Sequence, residues 1–304
     1  MKLLTIFTPT YNRGDYLGIL YNTIKQSLNK NKITWLIVDD GSTDNTKEVV
    51  SSFVEEGAID IKYYFTNNGG KYKAYNKAID LVSTPYFVCI DSDDKLSNVK
   101  SVDIMIKNME LLHEKDIGCI YPFLNSKTES MVFDKMKGIK INVSDVKLKY
   151  GLSIETTIVF KTSVLKKYKF IENDEKFQSE EIFYNYFIHD GKFVFLEDFL
   201  VTGEYLETGL TRNIYKLWFN NYKNSLLLFS SRYQFIKATM KCGLAKTIEI
   251  SKCVINKNAI CMAKKLSIIR NSDSPILSVL LYFPSVAYKY LKYDRGGLKE
   301  WMKN

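Results

Sequence analysis

Histidine and cysteine are scarce in this chain of 304 residues, with two of the first and five of the second. The cysteines (Cys89, Cys119, Cys242, Cys253, Cys261) form no Cys-x-x-Cys pair and no His-Cys spacing suited to zinc. An odd number cannot close into a complete disulfide framework, so buried free thiols are expected. No Ser-His-Asp or Cys-His combination offers a covalent nucleophile. Long apolar runs are missing too. The opening stretch, Leu3 to Pro9, is interrupted too soon to serve as a signal peptide or a membrane span, which predicts a cytoplasmic protein. Repeats and low-complexity tracts are absent. With 46% hydrophobic and 25% charged residues the chain can bury one large core or two modest ones, which excludes disorder.

The net charge of +9 is divided unevenly. Residues 211–304 hold 17 Lys+Arg against 4 Asp+Glu, a net +13, leaving 26 against 30, a net −4, for residues 1–210. A weakly acidic first part suits a site that collects a cation, and a basic tail suits an anionic surface. A boundary is therefore expected near 210, with an α/β domain over 1–210 and a basic, aromatic helical region over 211–304.

Within the first part, Leu3–Pro9 and Thr34–Val38 read as buried strands. Between them Leu17, Leu20, Ile24 and Leu28 recur at helical spacing. The alternation continues with a helix capped by Ser42 or Thr43, a strand over Ile59–Phe65, a helix over Tyr72–Val82 and a strand over Tyr86–Ile90. Such βα units predict a mostly parallel, Rossmann-like sheet with helices on both faces, whose ligands sit beyond the carboxyl ends of the strands. Further strands are expected at Ile154–Phe160 and Lys192–Leu196.

Polar motifs fall at those strand ends: Thr8-Pro9-Thr10-Tyr11-Asn12-Arg13, Asp39-Asp40-Gly41-Ser42-Thr43-Asp44 and Asp91-Ser92-Asp93-Asp94. Alone, the last has the composition of a surface turn. Delivered by a strand, its carboxylates are hard oxygen ligands that can share Mg2+ or Mn2+ with phosphate oxygens. Asn68-Gly69-Gly70-Lys71 opens the helix that carries Lys73, Ala74 and Asn76, and Glu180-Glu181 begins another helix.

Taken together, these motifs resemble the family 2 glycosyltransferases, whose GT-A fold carries T-x-Y-N-R, DDGSTD, N-x-G-x-x-x-A-x-N and D-x-D elements, over roughly residues 3–96. The resemblance implies a UDP-sugar donor, a saccharide acceptor and a metal-dependent, inverting transfer. By the same resemblance Pro9 and Tyr11 line the nucleotide pocket, Arg13 supports its loop, and Asp40 accepts from uracil N3-H. Asn68 and Lys71 contact uridine or diphosphate, Asp91 and Ser92 lie at the donor, and Asp93 with Asp91 holds Mn2+ or Mg2+. The catalytic base is implied at Glu181, with Glu180 the alternative because the family's Glu-Asp is Glu-Glu here. Arg212 would clamp the departing diphosphate. Lys71 and Lys73 also read as ordinary solvated lysines, and His189 as a structural turn residue.

Residues 274–295 combine apolar and aromatic side chains with Lys289, Lys292 and Arg295, which suits a helix in a membrane interface. That would place the protein peripherally on the inner face of the cell membrane, extending a lipid-linked sugar into a surface polysaccharide. Packing on the catalytic domain or on a second copy in an oligomer is the alternative. Two rival functions are weaker. A sugar-phosphate nucleotidyltransferase needs a Gly-rich, Arg-containing phosphate loop, whereas only Gly14 follows Thr8–Arg13. A basic module for membrane or nucleic acid leaves the aspartates unexplained, so no nucleic-acid partner is expected.

Overall fold

The computed structural model describes residues 1–203 and 214–295. Contacts group these into two units, residues 1–172 with 186–203 and residues 173–185 with 214–295. The segment holding Glu180 and Glu181 thus belongs with the second unit.

The chain runs β1 (Leu4–Thr10), α1 (Gly14–Lys25), β2 (Ile33–Asp39), α2 (Thr46–Glu56), β3 (Asp60–Phe65), α3 (Lys71–Leu81), β4 (Tyr86–Cys89), β5 (Lys95–Leu96) and α4 (Ser101–Glu110). It continues through β6 (Asp116–Pro122), β7 (Lys140–Ile141), α5 (Val143–Leu148), β8 (Thr156–Lys161), α6 (Thr162–Leu165), α7 (Glu180–Tyr186), β9 (Lys192–Phe195) and β10 (Val201–Thr202). Helices α8 (Ile214–Asn220), α9 (Tyr222–Thr239), α10 (Leu244–Ala263), α11 (Pro275–Leu280) and α12 (Tyr282–Lys289) follow.

The main sheet has the order β3-β2-β1-β4-β8-β6-β9-β7. Pairs β1/β2, β1/β4, β2/β3 and β6/β9 are parallel, while β8 is antiparallel to β4 and β6, and β7 is antiparallel to β9. Strands β1 and β2 are buried at every position, which is why they read as continuous apolar runs rather than alternating ones. Leu17, Leu20 and Ile24 of α1 close over this sheet with Ile6, Trp35 and Val50. Each side chain so buried contributes about 1.5–3 kcal/mol of hydrophobic stabilisation. Leu28 is a correction, because α1 ends at Lys25 and leaves it exposed. So is the start of α2, which neither Ser42 nor Thr43 caps. A two-stranded ribbon pairs β5 with β10 in antiparallel fashion.

The second unit packs α8, α9, α10 and α12 around Phe229, Ala259, Ile260 and Tyr293, with Tyr215, Trp218 and Phe219 against them. All five cysteines are free; Cys119, Cys253 and Cys261 are buried, but Cys89 is half-buried and Cys242 exposed.

Candidate functional site

The parallel register sets Thr10 beside Asp39, so the loops after β1 and β2 leave the sheet side by side. The Asp40 N–H donates to the Thr10 carbonyl at 2.8 Å. Asn12, at φ 51°, takes the left-handed conformation that asparagine tolerates better than most residues. Its N–H donates to Ser42 Oγ and its Oδ1 accepts the Thr43 N–H, each at 2.8 Å. Asp44 accepts the N–H groups of Gly14 at 3.2 Å and Thr46 at 3.0 Å. Desolvation of this largely exposed carboxyl favours the neutral acid, but these bonds and the Thr46 hydroxyl outweigh that and hold it below the ordinary aspartate pKa.

Two adjacent carboxylates do different work. Asp39 is buried, accepting from Ser42 N–H at 2.7 Å and from the Tyr63 hydroxyl at 2.6 Å. Burial first, and then this carboxylate, push the Tyr63 phenol above its ordinary pKa. Asp40 reaches across to the next loop, where Oδ1 and Oδ2 accept the N–H groups of Gly69 and Gly70, both at 2.7 Å. Gly41 permits this approach: its φ is +85°, and a Cβ there would lie 2.8 Å from the Asn68 nitrogen. Each Asp40 oxygen retains a second lone pair able to accept a ring N–H. Asp40 therefore has a loop-fixing role that its motif did not reveal.

Asn68, Gly69 and Gly70 lead into α3, whose first residue, Lys71, turns toward the acidic motif. Its Nζ lies 2.8 Å from both Asp91 carboxylate oxygens, so it is an ion-paired residue rather than a solvated one. Asp91, Asp93 and Asp94 offer carboxylate oxygens that all lie within 4.8 Å of one another, with Ser92 buried between them. Burial, followed by the charges of Asp91 and Asp93, raises the Asp94 carboxyl to about 8, and Lys71 opposes this only in part. Three hard oxygen donors whose mutual repulsion a cation would relieve are a donor set fitted to Mg2+ or Mn2+. Gly203 backs this cluster: a Cβ on it would collide with Asp94 Oδ1 and press on the Phe123 ring at 3.1 Å.

Other expected residues are placed as follows. Pro9 is buried in β1, Tyr11 is half exposed beyond its end, and the Arg13 guanidinium lies 5.1 Å from the Tyr16 ring centroid. Asn76 is buried, donating to the Phe170 carbonyl at 3.0 Å and accepting its N–H at 2.8 Å, which ties α3 to the chain beyond β8. The Lys73 ammonium lies 5.7 Å from the Tyr72 ring centroid, and His189 ends a short 3-10 turn. Arg212 lies outside the described residues.

In the second unit, Glu180 and Glu181 open α7. Glu180 accepts from the Tyr184 hydroxyl at 3.2 Å. Both oxygens of Glu181 are taken by Arg232 of α9, the first from Nε at 2.6 Å and the second from a terminal nitrogen. Burial alone would make the guanidinium easier to deprotonate, but Glu181 reverses this and raises its pKa. Sequence reasoning gave Asp44 no role of its own within its motif and missed Gly203 and Arg232. A glycine directly after β10 is a weak signal for the first of these two, and nothing local marks Arg232, which lies 51 residues from its partner.

Comparison with known proteins gives consistent results. Residues 5–168 match the family described as glycosyl transferase family 2. The teichoic acid poly(glycerol phosphate) polymerase of Staphylococcus epidermidis is 25% identical over 276 residues, 84% of this chain. This chain spans only 37% of that protein's length. The crystal structure of S. aureus TarS 1-349 with UDP-GlcNAc superposes with a TM-score of 0.59 at 17% identity, covering 97% of this chain and 90% of that one. The mannosyltransferase PcManGT of Pyrobaculum calidifontis, with GDP-Man and Mn2+, gives 0.54 at 13% identity, covering 99% and 88%. At these identities the likeness establishes the fold, which is GT-A with C-terminal helices.

Proposed function

We propose, on the premise that this chain belongs to glycosyl transferase family 2, that it moves a sugar from a UDP-sugar to a hydroxyl of a saccharide acceptor during surface-polysaccharide synthesis. The observation that carries this reading is the meeting of the loops after β1, β2 and β3, joined through Asn12, Gly41 and Asp40, with Lys71 linking them to the carboxylates after β4. The UDP-GlcNAc complex of TarS supports the donor, and the staphylococcal polymerase supports an envelope polymer as product.

In this reading Pro9, Tyr11 and Asn68 bound the nucleotide, Arg13 supports the first loop, and Asp40 accepts from the uracil ring while holding the third loop in place. Asp91, Asp93 and Asp94 would hold a divalent ion, Mn2+ or Mg2+, which when bound would supply positive charge to offset that of a diphosphate leaving group. The Mn2+ complex of the mannosyltransferase supports that ion. Lys71 and Ser92 add a cation and a hydroxyl beside the same carboxylates, and Arg212 binds the departing diphosphate. Glu181 takes the proton from the acceptor hydroxyl as it attacks opposite the leaving group, with inversion, and Glu180 is its alternative. Arg232 holds the Glu181 carboxylate in one orientation. The acceptor is lipid-linked and met at the inner face of the cell membrane, with residues 274–295 as the contact.

Thermal melting tests the donor and metal parts. UDP with Mn2+ should stabilise the protein by about 2.7 kcal/mol at a hundredfold excess over Kd, UDP alone much less, and Asp93→Asn should abolish the difference. A stabilisation by nucleoside triphosphate that exceeds that by UDP would sink the reading.

A further inference from the structure

Helices α11 and α12 reverse the usual polarity of a packed helix. Their buried positions are serines: Ser278 and Ser285 are 1% and 0% exposed. Asn258 of α10 donates to the Ser278 carbonyl at 3.0 Å and to Ser285 Oγ at 3.3 Å. Ser278 Oγ also bonds Ser272 at 2.6 Å. The opposite face carries Ile276, Val279, Leu280, Phe283 and Val286, continued by Leu291 in the helical turn after α12, with Ile276 at 75%, Leu280 at 69% and Phe283 at 80% exposure. Single exposed apolar residues are ordinary, whereas a continuous helical stripe of them marks a surface that another phase or partner covers.

Charge selects the occupant. The residues from 211 onward carry a net +13, including exposed Lys265 and Arg270 just ahead of α11. Pairing two copies through this face would bring two such regions together, whereas an anionic lipid surface attracts both. Tyr282 and Tyr290, each partly exposed, border the stripe with the amphipathic side chains that settle at headgroup depth.

We infer that the Ile276–Leu291 face inserts into the headgroup and upper acyl layer of an anionic bilayer, lying parallel to its plane, while the buried serines dock the helix on α10. No helix of the described residues is long and apolar enough to cross a membrane. This rests on the membrane contact proposed above and on nothing else in that reading, because vesicle binding is measured without donor, metal or acceptor.

The test is sedimentation of the full chain with vesicles of equimolar phosphatidylcholine and phosphatidylglycerol, against phosphatidylcholine alone. Binding should need the anionic lipid and weaken with salt. Leu280→Ser combined with Phe283→Ser should reduce partitioning about a hundredfold, about tenfold for each side chain, with an unchanged melting temperature. Equal binding by the double variant, or none by the parent chain, overturns the inference. So does a parent chain that sediments as a dimer without lipid and becomes monomeric on the double substitution, since the face would then bind a second copy.

Discussion

At the residue scale, the donor set depends on a glycine the motifs do not contain. Gly203 has no side chain because Asp94 occupies that space, so Gly203→Ala should displace the carboxylate and lower Mn2+ affinity about tenfold, with UDP affinity in the absence of metal preserved. Unchanged metal-dependent melting would show that Asp94 is not a ligand. The base is a second case. Glu181→Gln should reduce kcat by about 10²–10⁴-fold, the range for loss of a general base, and Glu180→Gln by far less. Arg232→Lys should also lower kcat, because an ammonium cannot reproduce the two-pronged grip on Glu181, while KM for the donor stays near its original value. Equal kcat in Arg232→Lys would reduce the pair to a structural tie. The aspartates were legible in sequence because a strand delivers them within four residues. Gly203 and Arg232 act across folded distance, which no local pattern encodes.

Elements were legible where burial repeats. Strands β1 and β2 and helix α1 follow from runs and spacings of apolar residues, and the expected parallel sheet is present at its β3-β2-β1-β4 side. Strand β6 was not foreseen, and its antiparallel pairing with β8 depends on partners about forty residues apart, beyond the reach of periodicity. The start of α2 was placed too early for another reason. Ser42 and Thr43 have cap chemistry, but their backbone is committed to Asn12 and Asp39, and Asp44 receives the Thr46 N–H instead. The folded Asp44 carboxyl is held below its ordinary pKa, so the stability it adds is complete above the ordinary value and disappears as pH falls through the lower folded one. Asp44→Asn should therefore cost about 0.3–1 kcal/mol at neutral pH, the range for an exposed carboxylate charge beside a helix N-terminus, because asparagine keeps the acceptor oxygen and loses only the charge. Denaturant titrations should show the gap closing below about pH 4. A gap that is constant with pH would mean the carboxylate charge contributes nothing.

Over the whole molecule, charge and chemistry are divided between two units. The proposed nucleotide and metal residues, from Pro9 to Asp94, lie on the first, whereas Glu180, Glu181, Arg232 and the apolar face of α11 and α12 lie on the second. The charge asymmetry was countable in the sequence. The polarity reversal of α11 was not, since Ser and Leu at helical spacing do not say which face turns inward. The division predicts a double dissociation. Asp93→Asn should lose the Mn2+-dependent part of UDP stabilisation yet sediment with anionic vesicles like the parent chain. Glu181→Gln should keep both the UDP–Mn2+ melting shift and vesicle binding while losing turnover. The double variant of Leu280 and Phe283 should keep the melting shift and lose only the vesicles. If Asp93→Asn also lost vesicle binding, metal binding and membrane contact would be coupled, and the two units could not be treated as independent carriers of donor and lipid recognition.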